Sequence, residues 1–412
     1  MKKFLILCCL FLSLILAAGC YHKATAQLND IHNLRQIITK DSNLTRTIMW
    51  ESKGEHPRAF IEYKEENADS PKTATAKEKK FTEDKTTNYI YTAFLTNLKP
   101  GTSYTYRVGY ENRVGPWEKF TTAKGAAFKA LIFPDTQSSD YTGWQQLAKT
   151  AWEKNQDAEL YLNMGDLVDN GESAYQWEEW FKGAGIMSKS IPLAPVLGNH
   201  ETYTLDWKVR MPIAYLNYFE LPANGSSNYQ NQYYSFDYGQ VHFVVLNSIM
   251  KELDQFQPDM LKEQIAWLKR DLATTDKKWR VALLHKDVLQ YGFKERPQPR
   301  PEGISTEGEI FMPLFEELKV DAVLTAHLHT YRRRGHIANF TRDDHGPLYL
   351  LTGVAGSVRY PNLWRNHALD EYVAPQPETA NYLTLEAQEN SLKFSCFLPT
   401  GEKLDTVVLT KQ

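Results

Sequence analysis

Five short polar motifs, each at the end of an apolar run, most strongly constrain what this chain can fold into. They are Phe133-Pro134-Asp135-Thr136-Gln137, Gly165-Asp166-Leu167-Val168-Asp169, Gly198-Asn199-His200-Glu201, Leu283-Leu284-His285 and Ala326-His327-Leu328-His329. Open α/β sheets bind ligands at the carboxyl ends of their strands. Carboxylate, amide and imidazole donors gathered there suit first-row metals. The spacing therefore predicts an α/β domain with a metal site at one sheet edge.

The strand pattern divides the chain into two parts. Residues 28–124 show short alternating runs separated by turns, such as Tyr104-Thr105-Tyr106-Arg107-Val108 after a Pro-Gly turn. From residue 128 to 412, apolar strands alternate with helical patterns over 144–155, 172–183 and 261–272. We predict an all-β sandwich over residues 28–124, followed by an α/β domain over residues 128–412 that carries the chemistry.

The N-terminus predicts export. Lys2 and Lys3 precede an apolar run over residues 4–18, which is shorter than the roughly 20 residues that span a bilayer. Residues 16–20 resemble a bacterial lipobox, with a signal peptide over 1–19 and a lipid on Cys20. An alternative cleavage site after Ala26 would release a soluble protein. We favour the lipobox, and both sites predict a location in the periplasm or at the cell surface.

Charge and cysteine content exclude several classes of function. The formal net charge of −3 disfavours a protein held by nucleic-acid phosphates. Of the four cysteines, only Cys396 lies beyond the first twenty residues. The folded domains therefore contain neither an internal disulfide nor a cysteine zinc site.

The ordered set of five motifs resembles the calcineurin-like metallophosphoesterase superfamily. With the β-sandwich in front, which resembles a fibronectin type III domain, the chain is similar to purple acid phosphatases. The resemblance implies an α/β domain with two central sheets flanked by helices, and two divalent or trivalent metal ions (Fe, Zn or Mn) as cofactors. It implies that His200 donates a proton to the leaving group or stabilises the transition state, and that one carboxylate bridges the two metals. The implied ligands are Asp135, Asp166 and His329 for the first metal, and Asp166, Asn199, His285 and His327 for the second.

Two positions depart from the family pattern. Purple acid phosphatases carry a metal-bound tyrosine three residues after the bridging aspartate, where this chain has Asp169. We therefore expect an enzyme that is not purple. Gln137 stands where the general pattern has histidine and the purple subgroup has glycine. Its amide oxygen either binds the first metal or hydrogen-bonds a ligand.

The resemblance leaves three functions open. The first is a phosphatase that hydrolyses small phosphomonoesters with a metal-activated water. The second is a metal-dependent phosphodiesterase acting on a cyclic nucleotide or a lipid headgroup, and the third is a surface binding protein without activity. The predicted partners are a small phosphate ester and, through Cys20, the membrane. Tyr203 and Arg332 are weaker candidates for substrate contact, and His242 is interpreted as structural.

Overall fold

A computed structural model describes residues 26–27, 30–294, 296 and 299–412. The predicted signal peptide and the lipidation site at Cys20 lie outside the described residues. Within them, no helix is both long and apolar enough to cross a membrane.

The first part of the chain is built from strands. The strands are β1 (Ala26–Gln27), β2 (His32–Ile37), β3 (Arg46–Ser52), β4 (Ala59–Glu65), β5 (Lys72–Thr75), β6 (Lys77–Glu83), β7 (Thr86–Leu95), β8 (Ser103–Tyr110), β9 (Arg113–Val114) and β10 (Glu118–Thr121).

The second part alternates strands and helices before it returns to strands. In chain order the elements are β11 (Phe128–Phe133), α1 (Thr142–Lys154), β12 (Leu160–Asn163), α2 (Ala174–Ser188), β13 (Leu193–Pro195), a 3-10 turn (His200–Thr202), α3 (Ile213–Tyr218), β14 (Tyr234–Tyr238), β15 (Val241–Leu246), α4 (Met250–Leu253), α5 (Met260–Thr274), β16 (Trp279–Leu284), β17 (Leu289–Gln290), β18 (Gly303–Ile304), α6 (Thr306–Glu317), β19 (Ala322–Thr325), β20 (Tyr331–Ala338), β21 (Thr341–Arg342), β22 (Leu348–Thr352), β23 (Tyr372–Val373), β24 (Tyr382–Ala387), β25 (Ser391–Phe397) and β26 (Lys403–Thr410).

Two large sheets form the centre of the α/β part. In the first, the strand order is β26-β25-β24-β11-β12-β13-β2-β3-β7-β6, and in the second it is β14-β15-β16-β19-β22-β20-β21, with β23 on β20. Strands β11, β12 and β13 run parallel, as do β15, β16, β19 and β22. Both faces of these strands are covered, which explains why they read as continuous apolar runs. The predicted pair of central sheets is confirmed.

The helices form where the sequence predicts them. The spans 144–155, 172–183 and 261–272 correspond to α1, α2 and α5, with ends displaced by up to five residues. Helix α2 begins one residue after Ser173, whose hydroxyl accepts a hydrogen bond from the Gln176 N–H at 3.3 Å. A serine cap of this kind satisfies one of the free N–H groups of the first turn.

The two parts of the chain share one sheet, which the sequence did not predict. Strand β13 pairs in parallel with β2 at Leu193 and Ile37, and the Ile38 N–H donates to the Leu193 carbonyl at 2.9 Å. The fully buried Arg35 of β2 also donates from Nη2 to the Tyr218 carbonyl at 2.8 Å. The β-rich part is therefore fixed to the α/β part by backbone pairing and by a buried guanidinium.

Candidate metal centre

The predicted donors converge because each follows the end of a parallel strand. Asp135 follows β11 and Asp166 follows β12, while Asn199 and His200 follow β13 in the same sheet. In the other large sheet, His285 directly follows β16, and His327 and His329 follow β19. The carboxyl ends of the two sets of parallel strands therefore supply a single site.

The donor atoms form two clusters that share one carboxylate. Asp166, His285 and His327 each offer a ligand atom within 4.8 Å of the others, and so do Asp135, Asp166 and His329. Asn199 joins the first cluster, with its Oδ1 3.1 Å from the His285 Nε2. Asp166 is therefore common to both clusters of possible metal ligands.

The backbone is strained at four of these donors. Asp135, Asp166, His327 and His329 have φ values of +40°, +50°, +74° and +52°. Non-glycine residues rarely adopt this left-handed conformation, which costs about 1–3 kcal/mol at each position. The surrounding packing therefore holds these side chains against a local preference, as is typical of functional sites.

Hydrogen bonds orient two imidazoles for metal binding. The Nδ1–H of His285 donates to the Met164 carbonyl at 2.9 Å, and that of His329 donates to the Val358 carbonyl at 2.9 Å. Each Nε2 then faces an acidic ligand, at 3.0 Å from Asp166 Oδ2 and at 3.6 Å from Asp135 Oδ1. A histidine that binds a metal through one ring nitrogen usually donates the N–H of its other ring nitrogen to an acceptor such as a backbone carbonyl.

The site fits a cation. Two buried polar atoms, Gln137 Oε1 and His327 Nδ1, have no hydrogen-bond partner among the described residues. Burial opposes protonation of His285, yet the adjacent Asp166 carboxylate outweighs it and raises the pKa of His285 to about 9. Two carboxylates, those of Asp135 and Asp166, are fully buried here, and their charge can be balanced by the His285 imidazolium or by bound metal ions, which would displace its proton.

Both parts of the chain are similar to known proteins. Residues 128–331 match the family described as calcineurin-like phosphoesterase, and residues 32–122 match the purple acid phosphatase N-terminal domain. Purple acid phosphatase 15 of Arabidopsis thaliana is 27% identical over 336 residues, which are 71% of this chain and 58% of that protein. Purple acid phosphatase 23 of the same plant is 31% identical over 186 residues, which are 44% of this chain and 38% of that protein.

The chain belongs to the calcineurin-like phosphoesterases, with a purple acid phosphatase N-terminal domain. Its fold agrees: the purple acid phosphatase PPD1 from yellow lupin (Lupinus luteus) seeds superposes with a TM-score of 0.76 at 18% identity, covering 93% of this chain and 74% of that chain. The family prediction is confirmed, and so is the order of a β-rich domain before an α/β phosphoesterase domain. The chain spans 58% and 38% of the length of these two curated relatives.

At the candidate metal site, Asp169 contacts His200. The His200 Nδ1 lies 2.8 Å from the Asp169 carbonyl oxygen and 3.4 Å from its carboxylate Oδ1. The ring's Nε2 lies 3.2 Å from Gln137 Nε2 and 3.9 Å from Asp166 Oδ2. Burial disfavours the imidazolium, but Asp166 and Asp169 together raise the pKa of His200 to about 9. His200 is thus oriented with one nitrogen toward the donor set.

Sequence reasoning missed Glu201, although its motif was identified. The buried carboxylate of Glu201 accepts N–H bonds from Leu167 at 2.7 Å and from Gly198 at 2.8 Å. It also accepts from the N–H groups of Asp166 and Val168, at 3.1 and 3.3 Å. Glu201 therefore joins the loop that carries Asp166 to the loop that carries Asn199. Its only signal in the sequence was its position next to His200.

Gly165 is required by close packing at this site. Its φ is +92°, and a Cβ there would lie 2.6 Å from the Nδ1 of His285. A larger residue would displace a candidate ligand as well as strain the backbone.

Of the two weaker candidates for substrate contact, one lies at the site and the other does not. Tyr203 reaches the site, since the Asn199 amide donates to its hydroxyl at 3.3 Å. Arg332 does not, because it is buried and its guanidinium pairs with Asp370 at 2.5 Å.

His242 is structural, as interpreted from the sequence. It lies in β15, with Nδ1 2.7 Å from Asp237 Oδ1 and Nε2 2.8 Å from Asp271 Oδ2. Burial opposes protonation, but the two carboxylates outweigh it and raise the pKa of His242 to about 9.

Proposed function

We propose that this protein is a binuclear metal-dependent phosphatase that hydrolyses small phosphomonoesters. The observation that carries the proposal is the pair of donor clusters, from two sheets, that share the Asp166 carboxylate. Such an arrangement suits two cations about 3.5–4 Å apart. When bound, two metal ions would activate a water molecule and stabilise charge on the phosphate oxygens.

We assign the metals to the residues already grouped by the geometry. Asp135, Asp166 and His329 would hold the first ion, and Asn199, His285 and His327 would join Asp166 around the second. Gln137 would complete the first site, since its buried Oε1 has no hydrogen-bond partner within the described ranges. A neutral amide oxygen binds cations more weakly than a phenolate or imidazole. The first site would therefore be the one that releases its metal sooner.

His200 would act on the leaving group. Its Nδ1 is fixed by Asp169, which leaves Nε2 directed toward the donor set where the ester would bind. An imidazolium at this point can give its proton to the departing alkoxide. The Gln137 Nε2, 3.2 Å from the His200 Nε2, can donate to this nitrogen only while the imidazole is neutral. Asp169 therefore positions the ring for proton transfer, and Gln137 can bond the neutral imidazole that remains after the proton has left.

We further propose that the protein acts outside the cytoplasm, attached through a lipid on Cys20. The support is the order of Lys2 and Lys3, the apolar run over residues 4–18 and the lipobox-like residues 16–20. Metabolic labelling with a fatty acid tests this proposal, because Cys20→Ser should abolish the label.

The activity is tested with matched nitrophenyl mono- and diesters. Protein lacking residues 1–19 is stripped of metal and supplied with Mn, Zn or Fe, with a chelated sample as control. We expect metal-dependent turnover that is faster on the monoester. Faster turnover of the diester would favour the phosphodiesterase alternative. Binding of two metal equivalents without turnover of either ester would contradict the enzymatic proposal, and Asp166→Asn serves as the matched metal-deficient variant.

A further inference from the structure

An exposed tryptophan lies beside the candidate proton donor. Trp207 is 55% exposed, and its ring centroid lies 5.8 Å from that of His200, with the two planes at 89°. Tyr203 completes the group, with its ring centroid 5.3 Å from His200 and 5.8 Å from Trp207. One side of the indole therefore contacts these two rings, and the rest of it is apolar surface open to solvent beside the candidate proton donor.

The loop that carries Trp207 is fixed rather than free. Trp207 has a φ of +61°, which is strained for a bulky side chain, and its N–H donates to the Thr204 carbonyl at 3.0 Å. Tyr203 and Val209 form a bridge across the base of the loop. Arg210 then anchors the loop to the β-rich domain, through Glu83 at 3.0 and 2.9 Å. The backbone that carries the indole is therefore fixed by contacts within the protein.

A second exposed aromatic residue borders the other donors. Tyr360 is 39% exposed, and its ring centroid lies 4.7 Å from that of His329. Aromatic surface thus borders the mouth beside both His200 and His329.

The position of Trp207 relates it to the leaving group. A proton donor must come within about 2.6–3.2 Å of the oxygen it protonates. The group attached to that oxygen therefore begins next to His200, within reach of an indole 5.8 Å from the imidazole. Rigid aromatic side chains give much contact area at low entropic cost, and ring pairs gain stability beyond the area they bury.

We propose that Trp207 is a specificity-determining residue that binds a planar aromatic leaving group of the phosphate ester. This inference rests on the proposed function, because it places the ester oxygen beside His200. The shared chemistry is a flat ring in the leaving group, which an aryl phosphate carries on the ester oxygen itself and a nucleotide carries beyond its ribose.

The test compares phosphonates, which bind without being hydrolysed. Calorimetry on the metal-loaded protein measures the Kd of phenylphosphonate and methylphosphonate. We expect Trp207→Ala to weaken phenylphosphonate about three- to tenfold, with less than a twofold effect on methylphosphonate. Trp207→Phe should restore binding to within about twofold, because a ring remains. Phe340→Ala is the matched control, since Phe340 is also aromatic, 40% exposed and at a positive φ of +59°.

Turnover then distinguishes the two sources of the ring. For each variant, kcat/KM is compared between phenyl and glycerol phosphates, and between adenosine and ribose 5-phosphates. A selective loss on the phenyl ester identifies an aryl group, and a selective loss on the adenosine ester identifies a base; either supports the proposal. If Trp207→Ala weakens the binding of phenylphosphonate and methylphosphonate equally, or of neither, the proposal is overturned. Absence of all turnover with selective phenylphosphonate binding would reject the proposed activity while retaining the aromatic site.

Discussion

The buried ion pair between Asp287 and Arg334 offers a strong test of how the candidate metal ligands are held. Arg334 Nη2 lies 2.5 Å from Asp287 Oδ2, and both side chains are buried. The Thr325 hydroxyl donates to the other carboxylate oxygen at 2.8 Å. Asp287 stands two residues after His285, and Thr325 stands two residues before His327. One carboxylate therefore ties together the ends of two strands that carry candidate ligands.

The substitution Asp287→Asn removes the negative charge of the carboxylate and leaves a side chain of nearly the same size and shape. Removing one partner from a buried pair costs about 3–5 kcal/mol, because the other charge stays buried without compensation. Asp370 remains 4.0 Å from Arg334 Nε and offsets part of this loss. We expect the free energy of unfolding to fall by about 3 kcal/mol. Metal affinity should fall about tenfold, as for other partners that orient ligands.

Equilibrium urea unfolding and a calorimetric metal titration measure both effects. Glu317→Gln is the matched control, since it breaks the exposed Lys269–Glu317 pair and should cost less than about 0.5 kcal/mol. The paired replacement of Asp287 by Leu and Arg334 by Met should regain most of the lost stability, because no charge is left buried. A loss below about 1 kcal/mol for Asp287→Asn would refute the reasoning.

Three further outcomes follow from the site and from β15. Asp166→Asn should remove most bound metal and lower kcat/KM by at least about a thousandfold; elemental analysis showing two metals per chain would refute the bridging assignment. His200→Ala should retain both metals but lose about 10²–10⁴-fold in kcat, and an unchanged kcat would make His200 structural. The pKa of His242 is about 9 in the folded protein and near 6.5 in the unfolded chain. Its ion pairs should therefore stabilise the protein fully at pH values below 6.5. That contribution, up to about 3 kcal/mol, should disappear as the pH rises from 6.5 to 9, and urea midpoints of His242→Gln should lack this slope.

The α/β part was predictable because each of its central strands can be identified from its own residues. Strands such as β11 and β16 are buried on both faces, so their apolar runs stand out without knowledge of their neighbours. Helix α5 likewise shows its buried face in its own sequence, through Leu268 and Leu272. The sheet shared between β2 and β13 was not predictable, since this pairing joins residues far apart in the chain.

The sequence by itself determined the donor set. Polar residues at the ends of parallel strands lie at one edge of the sheet, so Asp135, Asp166, Asn199, His285, His327 and His329 could be grouped from local pattern and order. Tertiary structure alone decided what surrounds them. The four N–H bonds to Glu201, the orientation of His200 by Asp169 and the indole of Trp207 at the mouth depend on contacts between loops. Loop contacts follow from strained backbone and packing across distant segments, which no local pattern encodes.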